Sequence, residues 1–151
     1  VCSSDLREAV FNILQDVSGF SVLDLFSGSG IMGIEAISRG ASSVVAVENN
    51  RKQAISLRNN YRKLQIENNL TLWERDVLSL EFSHEKKTFD LIYADPPFTE
   101  TYPDLRKFLD FLSPDGVAIF ECPSRAIPEW ALEGKVRRYG ESSLAFFWKD
   151  S

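Results

Sequence analysis

The chain has 151 residues, 44% of them hydrophobic and 26% charged, with a net charge of −5. That length suits one domain with a full core, and the composition excludes a disordered polar segment. No apolar run approaches the roughly 18 residues a membrane span needs. No secretory leader is visible, and an acidic chain is not a general phosphate-binding sponge. Two cysteines, Cys2 and Cys122, make no disulfide framework, and a single histidine, His84 in a polar stretch, makes a metal site unexpected. A cytoplasmic, monomeric protein without a metal is the expectation. The chain opens on Val1, so a segment upstream of it is also expected.

Ser3-Ser4-Asp5 reads as a helix cap, with Val10, Phe11 and Leu14 at helical spacing behind it, to about Asp16. A strand over Ser21–Leu25 enters Phe26-Ser27-Gly28-Ser29-Gly30-Ile31-Met32-Gly33, and a helical pattern follows from Ile31 to Arg39. The glycines fit G-x-G-x-x-G in its required setting, strand before and helix after. Gly28 is expected to permit the tight turn, Gly30 to let a ligand approach the backbone, and Gly33 to allow close helix–strand packing. Gly40 is placed to end the helix. The next strand, Ser43–Val47, closes in Glu48, about 20 residues past the glycines. Nucleotide-binding α/β folds place there the acid that holds ribose hydroxyls.

A helix over Lys52 to about Leu64 precedes a third strand, Leu70–Glu74, ending near Asp76. A polar stretch, Ser79–Thr88, leads to a fourth strand, Phe89–Tyr93. A helix is predicted over Tyr102–Leu112, a turn at Pro114-Asp115-Gly116 and a fifth strand over Val117–Glu121. Glu129–Leu132 reads as a short helical piece. Lys135–Tyr139 and Leu144–Trp148 frame Gly140-Glu141-Ser142, a hairpin signal. The alternation predicts an α/β fold: a Rossmann-like, doubly wound, seven-stranded sheet, mostly parallel with an antiparallel C-terminal hairpin. Basic clusters, Arg51 with Arg58 and Arg62, and Arg137 with Arg138, read first as solvated faces.

The fourth strand ends in Asp95-Pro96-Pro97-Phe98. Two prolines cannot extend a sheet, because they lack N–H donors and fix φ near −65°. The chain therefore turns rigidly past the carboxyl end of a strand, where open α/β sheets bind ligands. The turn offers a carboxylate, the Pro96 carbonyl and an aromatic ring. Two acceptors and a stacking face suit a planar amino group. A plain strand-terminating loop is the competing reading.

Taken in order, Leu6-Arg7-Glu8-Ala9-Val10-Phe11-Asn12-Ile13-Leu14, Asp24-Leu25-Phe26-Ser27-Gly28-Ser29-Gly30 and Asp95-Pro96-Pro97-Phe98 resemble the RsmD-type bacterial methyltransferases. The closing hairpin with Arg138-Tyr139-Gly140 carries the same resemblance. It implies one S-adenosyl-L-methionine-dependent methyltransferase domain over residues 1–151, without the family's short basic N-terminal extension. It implies transfer of a methyl group to the exocyclic N2 amine of a guanosine in small-subunit ribosomal RNA, with ribosomal RNA or the small subunit as partner. The cofactor residues it implies are Asp24, Phe26, Gly28, Gly30, Glu48, Asn49, Asp76 and Val77. Asp24 braces the loop and helps hold the cofactor ammonium, and Asp76 with the Val77 N–H meets the adenine. Asp24 as a loop brace alone and Asp76 as an Asx-turn are the competing readings. Asp95, Pro96 and Phe98 are the implied catalytic residues. Tyr102 either lines their pocket or is a core aromatic.

Three rivals stand beside this reading. A DNA or other amino-methyltransferase has the same DPPF chemistry. A nicotinamide-dependent oxidoreductase shares the glycine pattern but leaves DPPF unexplained, and no Tyr-x-x-x-Lys is present. A non-enzymatic RNA-binding factor would not need the full set of acids and glycines.

Overall fold

The computed structural model describes residues 4–80, 88–97 and 102–149. Phe98 and His84 lie outside the described residues. Seven strands form one sheet: β1 (Ser21–Leu25), β2 (Ser43–Val47), β3 (Leu70–Trp73), β4 (Phe89–Ala94), β5 (Leu112–Pro123), β6 (Lys135–Tyr139) and β7 (Ser142–Trp148). Their spatial order is β3-β2-β1-β4-β5-β7-β6. The first five are parallel, and β7 runs antiparallel to both β5 and β6. The sequence placed these strands to within a few residues, because a run of β-branched and aromatic residues bounded by turn signals is hard to satisfy otherwise.

Three α-helices, α1 (Ser4–Leu14), α2 (Ile31–Ser38) and α3 (Arg51–Lys63), supply one layer. Alternate strand residues sort cleanly between two apolar clusters. Val22, Val44, Leu91, Tyr93, Val117 and Ile119 pack with the helices, through Phe11, Ala36, Leu57 and Tyr61. Leu23, Val45, Ile92, Ala118 and Phe120 face the other way, against Val77, Leu105, Phe108 and Ala131. A sheet buried on both faces needs this two-sided apolar pattern.

Two expectations are corrected. The predicted helix over Tyr102–Leu112 is a 3-10 segment over Arg106–Phe111 only. Leu112 belongs to β5, where it pairs with Phe89, so the sheet ends the helical geometry early. The predicted turn at Pro114-Asp115-Gly116 lies inside β5. The ladder shifts register between Phe89 and Leu91, where Leu112 and then Val117 are their partners. Asp115 takes the left-handed conformation there, with φ of 65°, as a bulge that bends a strand requires. The β6–β7 hairpin turns on Gly140, φ 65°, next to Glu141. A glycine at the first central position suits the twist of a two-residue hairpin.

β1 and β4 are neighbours, and the connections run outward from them in opposite directions. This is the topological switch point, and it opens a crevice at the carboxyl ends of the two strands.

Candidate active site

Five parallel strands deliver acids to this crevice. Asp24 sits near the end of β1, Glu48 follows β2, Asp76 follows β3, Asp95 follows β4 and Glu121 lies near the end of β5. Leu25 pairs with Ala94 across the switch point, so Asp95 leaves the sheet level with Phe26. Pro96 is buried and Pro97 exposed, which anchors the turn that carries the Asp95 carboxylate.

The loop after β1 is wound tightly. Phe26, Gly28 and Gly30 all have positive φ, of 54°, 58° and 84°. A phenylalanine in that region carries backbone strain of the kind found at ligand sites. The carboxylate of Glu48 holds the loop from outside: Oε1 accepts the Gly28 N–H at 2.7 Å and Oε2 accepts the Asn50 N–H at 2.9 Å. Asn50 caps α3 by accepting the Gln53 N–H, and Asn49 is exposed beside it.

The glycines of the loop also serve packing. A Cβ on Gly30 would lie 2.8 Å from Leu57 Cγ, so a glycine there lets α3 pack closely. A Cβ on Gly28 would meet only open space. Gly28 is therefore where a ligand can approach the backbone. Gly33 acts as expected: a Cβ there would fall 2.2 Å from Tyr61 Oη and 2.9 Å from Val44 Cγ1.

Asp24 is only 2% exposed. Ser27 Oγ donates to its Oδ2 at 2.6 Å, which braces the loop. Burial raises its pKa to about 7, against the lowering hydrogen bond from Ser27, and the charge of Asp95 adds to the rise. The hydroxyl of Tyr61 is buried without a hydrogen-bond partner. Burial, and next the charge of Asp24, raise its pKa. A cationic group beside Asp24 removes the disadvantage of its ionised form. Asp76 makes the Asx-turn anticipated as its competing role: it caps the short turn Val77–Ser79, Oδ1 accepting the Leu78 N–H at 3.0 Å. Its carboxylate is exposed, while Val77 is core.

Asp95 is half-buried, and burial raises its pKa to about 7, with the Glu121 charge as the next cause. Tyr102 is half-buried and close enough to feel the Asp95 and Glu121 charges. Burial and then the Asp95 charge push its hydroxyl up to about 12. Glu121 escaped the sequence reading. An acid closing an apolar strand was the available signal, since Asp24, Glu48 and Asp95 each follow that pattern. Among the described residues no group of three or more His, Cys, Asp or Glu side chains is placed to hold a metal ion. No described helix is long and apolar enough to cross a membrane.

The model of the family described as conserved hypothetical protein 95 matches residues 2–148. The chain belongs to this family, the RsmD family. A relative named ribosomal RNA small subunit methyltransferase D, from Buchnera aphidicola, is 33% identical over 97 residues, covering 64% of this chain and 50% of that protein. The chain thus spans about half the length of the curated relatives it matches. A solved structure of a conserved hypothetical protein from Streptococcus pyogenes superposes with a TM-score of 0.79 at 29% identity, over 95% of each chain. The Thermus thermophilus 16S rRNA N2 G1207 methyltransferase, solved with AdoMet and guanosine, superposes with a TM-score of 0.77 at 25% identity, over 94% of this chain and 41% of that one.

Proposed function

We propose that this RsmD-family chain transfers a methyl group from S-adenosyl-L-methionine to the exocyclic N2 amine of a guanosine in small-subunit ribosomal RNA. The observation that carries the reading is the placement of Asp95. It stands on a double-proline turn, at the switch point, across from a strained glycine loop and a ribose-type acid. The family and the names of the similar proteins support the same chemistry.

The residues present fit the cofactor. The open space at Gly28 admits a close-packed ligand. Glu48, already at the loop, has further lone pairs for a ribose diol. Asp24 suits an ammonium, and Asp76 keeps its exposed carboxylate toward solvent for an amino group. When bound, S-adenosyl-L-methionine supplies a sulfonium methyl carbon, whose bond pair stays on sulfur as carbon bonds to nitrogen.

Asp95 and the Pro96 carbonyl then accept the two N–H bonds of the substrate amine. An aromatic amine is a weak nucleophile because its lone pair is conjugated with the ring. Holding both hydrogens favours a pyramidal nitrogen and aims its lone pair. The carboxylate offsets the positive charge that develops on nitrogen, and fixed placement supplies much of the acceleration. A base must leave its stack to reach such a pocket. Phe98, with its aromatic face, belongs to this scheme through its place in the motif.

Incubation of the protein with S-adenosyl-L-methionine and unmethylated small subunits, followed by nucleoside mass spectrometry, tests the reading. N2-methylguanosine is the expected product. N6-methyladenosine, methylated protein or binding of NAD(H) in place of S-adenosyl-L-methionine would each overturn it.

A further inference from the structure

Ala94 pairs with Phe120 in the β4–β5 ladder, so one residue further along these strands stand Asp95 and Glu121. The register sets the two carboxyl groups side by side, close enough for the Glu121 charge to act on Asp95. Glu121 is 6% exposed, and Tyr93 Oη donates to its Oε2 at 2.7 Å. Glu121 is thus a buried carboxylate beside Asp95 that the Tyr93 hydroxyl holds in place. Nothing in the methyl-transfer scheme above uses it.

We propose that Glu121 is a positioning residue for the reaction. Held by Tyr93, it sets the orientation of Asp95 and serves as its partner when Asp95 takes the proton that the methylated amine sheds. This rests on the amine-methylation reading of Asp95 given above.

Two carboxylates this close cannot both ionise freely, so a proton arriving on either is favoured. Burial pushes the Glu121 carboxyl up and the Tyr93 hydrogen bond pulls it back, while Asp95, on the turn at the crevice, is the partner placed to meet the amine and take its proton. After carbon bonds to nitrogen, that nitrogen is positive and acidic. Its N–H bond breaks with the electron pair left on nitrogen, and an O–H bond forms on Asp95. The new hydroxyl donates to Glu121, and the proton passes to water once product leaves. Acid–base groups work best when their pKa lies near the working pH, and Asp95 is raised toward neutrality by burial and then by Glu121. The other ionisable or polar groups around the pair are Asp24 on β1, Tyr102, Cys122 and, beyond Tyr102, Arg125. Asp5 of α1 and Glu141 of the hairpin line the shallow cleft that includes Ser142.

Carbon-13 carboxyl NMR of the wild-type protein, with Asp95 assigned through Asp95→Asn, measures the pair without any turnover. The Asp95 resonance should titrate near neutrality and also respond as Glu121 ionises. In Glu121→Gln its midpoint should fall by about one pH unit or more, since the like charge is gone. The acid limb of the kcat profile should move by the same amount, and plateau kcat should drop roughly tenfold or more. Affinity for S-adenosylhomocysteine should stay at the wild-type value, which reports a folded variant. Glu121→Asp, which keeps the charge, should retain the wild-type limb. An Asp95 midpoint in the ordinary carboxylate range in the wild type would overturn the proposal. So would an unmoved midpoint or limb in Glu121→Gln. The titration is independent of substrate identity, so a protein that failed to make N2-methylguanosine would refute the functional reading while the NMR still decided the pairing.

Discussion

Glu48 and Gly28, twenty residues apart, are joined by a 2.7 Å hydrogen bond from the glycine N–H to the glutamate Oε1. One acid at the end of β2 thereby fixes the loop that follows β1. The same carboxylate also accepts from Asn50 at the start of α3. Two strands, a loop and a helix meet on one side chain, and that side chain borders the open space at Gly28.

Glu48→Ala is therefore expected to remove both a ligand contact and a loop brace. Hydrogen bonds to a charged acceptor contribute roughly 1.5–3 kcal/mol each, so the Kd for S-adenosylhomocysteine should rise by more than about tenfold. Glu48→Asp should fall between the wild type and alanine, because the shorter side chain keeps charge but not reach. Calorimetry on the three proteins decides this, and equal affinities would remove Glu48 from the site.

Asp24 makes a prediction about stability and pH. Its folded pKa is about 7, raised chiefly by burial, against about 3.9 in an unfolded chain. Between those values the folded state binds the proton and the unfolded state does not. Stability should therefore fall as pH rises from about 4 to about 7 and level off above it. Asp24→Asn keeps an acceptor for Ser27 but no longer titrates. Its urea-melt stability should show a shallower slope over this window, with a gain at pH 8 on the order of 1–3 kcal/mol. An unchanged slope would place the raised pKa elsewhere.

How much of this was legible beforehand varies from residue to residue. The strands followed from apolar runs that end at or beside Asp24, Glu48 and Asp95, since a doubly buried sheet leaves little choice of pattern. Gly33 was legible as a packing glycine from its place in the motif, although its nearest neighbour, Tyr61 Oη, lies on the distant α3. The packing of Gly30 against Leu57 Cγ, on the same helix more than twenty residues later, has no such motif signal. The segment before β5 has Leu105, Phe108, Leu109 and Leu112 at helical spacing, but the pairing of Leu112 with Phe89 overrides that propensity. Glu121 was passed over as a strand terminus. Its meaning comes from Tyr93 and Asp95 on the neighbouring strand, and register is not written in either segment alone.

Gly33 and Tyr61 form a steric lock that mutagenesis can open. Gly33→Ala puts a methyl 2.2 Å from Tyr61 Oη, and overpacking of this kind costs about 1–3 kcal/mol. Tyr61→Phe removes a buried hydroxyl that has no hydrogen-bond partner, so it should be neutral or stabilising by about 1 kcal/mol. In the double variant the phenyl ring no longer carries the clashing oxygen. Its stability loss should be smaller than that of Gly33→Ala, although Val44 Cγ1 at 2.9 Å keeps part of the strain. Urea melts of the four proteins form the cycle, and strict additivity would show that Tyr61 is not the obstacle.

Asp95 should separate chemistry from cofactor binding. It stands across the crevice from the glycine loop, on the turn that Pro96 anchors, and the Gly28–Glu48 contact does not involve it. Asp95→Asn keeps the shape and one acceptor oxygen but loses the negative charge opposite the developing positive nitrogen. It also replaces the other acceptor with an amide NH₂, which points donors at a donor. The loss should appear in kcat, by roughly a hundredfold or more, with the Kd for S-adenosylhomocysteine unchanged. Asp95→Asn should also lower the electrostatic load on Asp24, whose pKa is raised by the Asp95 charge. The Asp24 carboxyl resonance should then titrate at lower pH than in the wild type. Retained turnover in Asp95→Asn, or a loss confined to cofactor affinity, would assign this aspartate to the cofactor rather than to the amine.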